Sequence, residues 1–75
     1  MGRVIRLERA RIERLADDIA AQLRSNGNSV TRLTTNVRDV DEWRRAARRA
    51  ANQLGIPIRT GLSREGDKVW AVEGP

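Results

Sequence analysis

The chain contains neither cysteine nor histidine. Disulfide staples are therefore excluded, and so is a structural zinc site, which draws its ligands from those two residue types. Tyrosine and phenylalanine are missing too, so Trp43 and Trp70 are the only aromatic side chains. Without His, Cys or Tyr the usual general bases and nucleophiles are absent, and no enzymatic activity is expected. No catalytic residue, cofactor site, metal site or small-molecule substrate is read from the sequence. Asp39, Asp41 and Glu42 cluster, but helix capping accounts for them without a metal. No stretch approaches the roughly 18 consecutive apolar residues that span a bilayer. The first residues carry no apolar run of the secretory kind, and a cytoplasmic location without membrane binding is the expectation.

Seventy-five residues make one small domain, residues 1–75. A chain this short buries only about 60–65% of its unfolded surface. It must rely on close packing, or on burying a face against a partner. What abounds is arginine. Fifteen basic residues, all Arg except Lys68, stand against ten acids and give a formal net charge of +5. That balance favours association with nucleic acid or with an acidic protein surface. A GC-rich genome also writes Arg and Ala in place of Lys, Ile and Phe, so composition leaves both origins of the charge standing.

Periodicity predicts a first helix over residues 3–24. Val4, Ile5, Ile12, Leu15, Ala16, Ile19 and Leu23 fall in a stripe about 120° wide. Arg9 with Glu13, and Arg14 with Asp18, are four apart and can pair on the exposed side. Glu8 interrupts the stripe. Ile5, Ile12 and Ile19 repeat every seven residues, which sets a helix-mediated homodimer beside burial within the domain. Ser25–Ser29 reads as a turn. Residues 30–37 alternate and favour a strand, with a short helix as fallback because Val30, Leu33 and Val37 also keep helical spacing.

Asp39 and Glu42 stand at the two positions of a capping box, opening a second helix that runs to Leu54. Gly55 and Pro57 stop it. Its buried stripe is Val40, Trp43, Ala47, Ala50, Ala51 and Leu54, with Trp43 as anchor. Residues 56–62, a turn at 63–67 with Gly66, and residues 68–72 make a β-hairpin. Glu73–Pro75 reads as a loose end. The fold class expected is α+β, in the order α-β-α-β-β. Two helices pack on a small, mainly antiparallel sheet that ends in a C-terminal hairpin.

The second helix carries the clearest functional signal. Arg44, Arg45, Arg48 and Arg49 project within an arc of about 140° opposite Trp43 and Leu54. Guanidinium groups are planar, always charged and able to hold two phosphate oxygens at once. Asp41 and Glu42 can reach Arg44 or Arg45, which leaves Arg48 and Arg49 without a partner in the helix. Arg59, Arg64 and Lys68 add cations on or near the hairpin, offset by Glu65, Asp67 and Glu73. Trp70 and Trp43 are either a stacking platform for single-stranded bases or core, with core packing favoured.

A helix followed at once by a basic hairpin, over residues 39–72, resembles the order in winged-helix DNA-binding domains. The resemblance implies a recognition helix in the major groove and a wing on the backbone or minor groove. That family also has a helix just before the recognition helix, so a winged-helix-like fold is the fallback if residues 30–37 are helical. The Arg/Ala-rich run from Trp43 to Ala51 resembles small proteins of high-GC bacteria and their phages, which implies no activity. The expected function is a small basic nucleic-acid-binding protein, DNA before RNA, possessing a phosphate-contacting set of Arg44, Arg45, Arg48, Arg49, Arg59, Arg64 and Lys68. The alternative is a protein-interaction module, whether a regulator, an inhibitor or a self-associating subunit.

Overall fold

The structure is a computed structural model that describes residues 2–74, with side chains from Leu7 onward except Glu8. The expectations placed on Val4, Ile5 and Glu8 concern side chains outside the described residues. Five regular elements follow in the expected order: α1 (Gly2–Ser25), β1 (Ser29–Leu33), α2 (Val40–Leu54), β2 (Ile58–Leu62) and β3 (Lys68–Glu73). The strands form one antiparallel sheet in the order β1-β3-β2. Both helices pack against one face of it.

The turn after α1 uses residues that tolerate the left-handed region. Gly27 has φ 66° and Asn28 φ 64°, and Asn is the commonest non-glycine residue there because its short polar side chain bonds locally. Asn28 also ties the sheet together. Its carbonyl accepts from the Glu73 amide at 2.9 Å, and its side-chain amide donates to Glu73 Oε1 at 3.0 Å. Glu73 therefore belongs to β3 and is not part of a loose end.

Residues 30–37 divide. Val30–Leu33 lie in β1, but Thr34–Asn36 form a single 3-10 turn. Thr34, one residue past the Leu33–Lys68 pair, still meets the chain opposite in register. Its amide donates to Asp67 O at 2.9 Å and its hydroxyl to Gly66 O at 3.0 Å, pinning the segment to the hairpin turn. The eight-residue strand is thus shortened. The condition for a winged-helix-like fold is not met, since one 3-10 turn stands where a helix would precede α2.

Caps fix both ends of α2. Asp39 Oδ1 accepts from the Glu42 amide at 3.1 Å, satisfying one of the donors that a helix start leaves free. The reciprocal half of the capping box is not formed. Glu42 is buried, and its carboxylate turns to Arg11 at 3.7 Å. At the far end Gly55 has φ 70°. Its amide donates to Asn52 O at 3.2 Å, and the Ile56 amide to Ala51 O at 3.0 Å. That pair of bonds is the Schellman arrangement.

Small side chains bring the layers together. Ala16 and Ala20 of α1 meet Ala46, Ala47 and Ala50 of α2, all buried, around the larger Ile19, Leu23, Trp43 and Val69. Ala46 joins the stripe read from the sequence, while Val40 and Leu54 sit at its rim. Trp43 is 1% exposed and is the anchor. Strand parity settles the other tryptophan. Val69 and Ala71 point into the core, so Trp70 and Val72 point away from the helices. Trp70 is partly exposed, and the expectation that it packs in the core is corrected. Leu62 shares the core parity but is 46% exposed: it ends the edge strand β2, while its partner Val69 on the central strand is covered.

Candidate nucleic-acid interface

The four arginines of α2 do not act as one patch. Arg45 and Arg48 are exposed, three residues apart and hence neighbours on the helix surface. With Arg44 and Asp41 they line a shallow depression of about 320 Å³. Among the described residues no carboxylate lies within ion-pair distance of either.

Arg44 is half-buried and structural. Its Nη2 donates to the Thr60 carbonyl of β2 at 3.2 Å, and its Nε is buried without a partner. That bond joins the α2 face to the hairpin as one body. Arg49 is taken by α1: it meets Glu13 Oε1 at 3.0 Å, with both side chains about half exposed. Several expected pairs therefore fail. Glu13 bonds Arg49 instead of Arg9, and Glu42 goes to Arg11 instead of to Arg44 or Arg45. Neither an Asp41 pair nor an Arg14–Asp18 pair forms among the described residues. Asp41 stays in the depression and subtracts from its positive field.

The hairpin cations also separate. Arg64 lies in the turn, where Ser63, Arg64, Glu65, Asp67 and Lys68 line a depression of about 270 Å³. Two cations and two acids leave that tip electrically balanced. The turn is built by Ser63: its hydroxyl donates to Asp67 Oδ1 at 2.7 Å and accepts from the Lys68 amide at 3.1 Å. Gly66, with φ 76°, lets the chain reverse. The Ser63 hydroxyl holds the Asp67 carboxyl below the usual carboxylate range; desolvation opposes this, while the backbone amide and Lys68 assist. Arg59 and Lys68 stand on the sheet face turned away from the helices, by the same parity as Trp70.

A third depression, of about 280 Å³, was not visible in the sequence. Arg11, Arg14 and Arg38 line it with Leu15, Asp18 and Glu42. It joins α1 to the start of α2, and no local spacing announces it.

Comparison with protein families, with curated proteins and with solved structures gives no match. No described helix is long and apolar enough to cross a membrane.

Proposed function

We propose that this is a small nucleic-acid-binding module that grips duplex DNA through the outer face of α2. The observation that carries the reading is the pair Arg45 and Arg48, exposed, a single helical turn apart and without an acid partner among the described residues. Two guanidinium groups so placed suit successive backbone phosphates, which fix position and supply affinity without choosing a sequence. Arg44 supports the face from beneath through Thr60. Asn52 and Gln53 are exposed on the last turn of the same helix and are the side chains suited to base edges. Arg49 and Arg64 take no leading part, the first being held by Glu13 and the second being balanced in the turn.

The test is fluorescence anisotropy with a short labelled duplex over a series of salt concentrations. Binding should weaken steeply with salt, because each neutralised phosphate releases counterions. The Arg45→Ala/Arg48→Ala variant should lower the salt slope by about 2. Absence of duplex binding at low salt, or an unchanged slope, sinks the reading. An acidic protein surface would use the same two arginines, and a screen for protein partners would then follow.

A further inference from the structure

The sheet face opposite the helices is uncovered, and it is built unlike the rest of the surface. Its middle is Trp70 on β3. The indole lies over Gly61, its cross-strand partner on β2. A Cβ at Gly61 would meet Trp70 Cζ2 at 2.8 Å and Cε2 and Cη2 at 3.3 Å. The ring thus rests against bare backbone on one side and remains partly exposed to solvent. Lys68 lies two residues before it on the same strand, and Arg59 two residues before Gly61 on the neighbouring one. Both share the ring's parity and both are exposed. Leu33 and Val72 extend the apolar part, Leu33 at 47% exposure. The alternation of the three strands puts no carboxylate at this parity, and the acids nearest Lys68, Glu65 and Asp67, lie in the turn at the end of the face. Glu73 falls on the opposite parity and is engaged by Asn28.

We infer that this face is a second binding surface, on which an unpaired nucleobase stacks on Trp70 while Arg59 and Lys68 hold the flanking phosphates. Every base has a π-face, so an aromatic platform flanked by cations accepts single strands with little sequence preference. The charge complementarity selects this occupant over a second copy of the chain. Two copies meeting through the same face would bring Arg59 and Lys68 of each against those of the other, or bury them unpaired. The surface is distinct from the α2 face, since the sheet and its core lie between them. It does not depend on duplex binding there.

The experiment is a titration with a short oligothymidine, followed by intrinsic fluorescence and by anisotropy of a labelled strand. Trp43 is 1% exposed, so quenching on addition reports Trp70. Trp70→Val should weaken binding about 5- to 150-fold, the range that loss of one base stack gives, and Trp70→Phe should restore part of it. Arg59→Gln/Lys68→Gln leaves the ring and core untouched and should flatten the salt slope by about 1.4 for a single strand. Far-UV circular dichroism confirms that each variant is folded. Unquenched emission, wild-type affinity in folded Trp70→Val, or an unchanged slope in the cation variant overturns the proposal. So does a dimer that Trp70→Val dissociates and oligothymidine leaves intact, which would give the face to a second copy. The Arg45→Ala/Arg48→Ala variant runs in parallel. It should keep oligothymidine binding while losing duplex binding, so failure of either surface is read separately.

Discussion

Gly61 and Trp70 offer the sharpest test of the packing, because the sign of a single substitution should depend on its neighbour. Gly61 has no left-handed φ, so its backbone admits a side chain. A glycine in a strand interior costs roughly 0.5–1 kcal/mol relative to alanine. On that ground alone Gly61→Ala should stabilise the domain. The indole reverses this. A Cβ would sit 2.8 Å from Cζ2, well inside the ordinary contact distance between carbons of about 3.5–4.0 Å. The ring must tilt off the sheet, and forcing an extra carbon into a filled site costs about 1–3 kcal/mol. The net expectation in the wild-type background is a loss near 1 kcal/mol, which lowers Tm by roughly 4–8 °C in a domain of this size.

In the Trp70→Val background the space above residue 61 opens. Gly61→Ala should then raise stability by about 0.5–1 kcal/mol. The coupling energy from the double-mutant cycle is therefore about 1–3 kcal/mol. Urea melts of the four proteins give it directly. Tryptophan emission provides a second readout, since a tilted indole should shift to the red in Gly61→Ala. Equal effects of Gly61→Ala in the two backgrounds would refute the reasoning and remove the ring from its place over Gly61.

Three further outcomes follow from single contacts. Asp39→Ala removes the acceptor of the Glu42 amide and should cost about 1 kcal/mol, read as a Tm fall of roughly 4–8 °C; Asp39→Asn should retain most of the cap. The Arg11–Glu42 pair should respond asymmetrically, because the Glu42 side chain is 10% exposed and that of Arg11 41%. Arg11→Met leaves a buried carboxylate uncompensated and should cost more, about 1–3 kcal/mol in urea melts, than Glu42→Met, which leaves an arginine that reaches water. A larger loss from Glu42→Met would contradict that ordering. Asp67 is held below the usual carboxylate range chiefly by the Ser63 hydroxyl. A depressed folded value means stability present above the unfolded value and lost as pH falls through the folded one. Ser63→Ala should raise the Asp67 midpoint in a carboxyl-carbon NMR titration and shrink this small acid-side loss.

Local chemistry made most of the fold legible. Asp39, Gly55 and Gly66 mark element ends by mechanisms confined to a few residues, and the structure uses all three there. Ala46 was also within reach. It lies three residues after Trp43 and four before Ala50, so helical spacing alone places it on the buried stripe. Trp70 was not. Lys68–Val72 is apolar on both parities, and period-two alternation says which residues share a face without saying which face is inside. The small Val69 and Ala71 point inward because an alanine-lined α2 sits close above them. A tryptophan there would hold the layers apart, so the large ring goes to the open side, where Gly61 makes room for it.

The arginines show why charge counted along a chain overstates a binding site. A small core leaves long side chains to do structural work across element boundaries, and such partners lie far apart in sequence. Arg44 is held by Thr60, Arg49 by Glu13 and Arg11 by Glu42, separations of 16, 36 and 31 residues that no helical spacing reveals. Each such contact draws a cation away from the surface field, and Asp41 offsets part of what remains. Arg14 and Arg38 share their depression with Asp18 and Glu42. Two further cation groups carry the proposals: Arg45 with Arg48 on α2, and Arg59 with Lys68 beside Trp70. They differ in setting as well as place. The first lines a shallow hollow on a helix, and the second flanks an aromatic ring on an open sheet, so the partners proposed for them differ, a duplex for the one and an unpaired strand for the other.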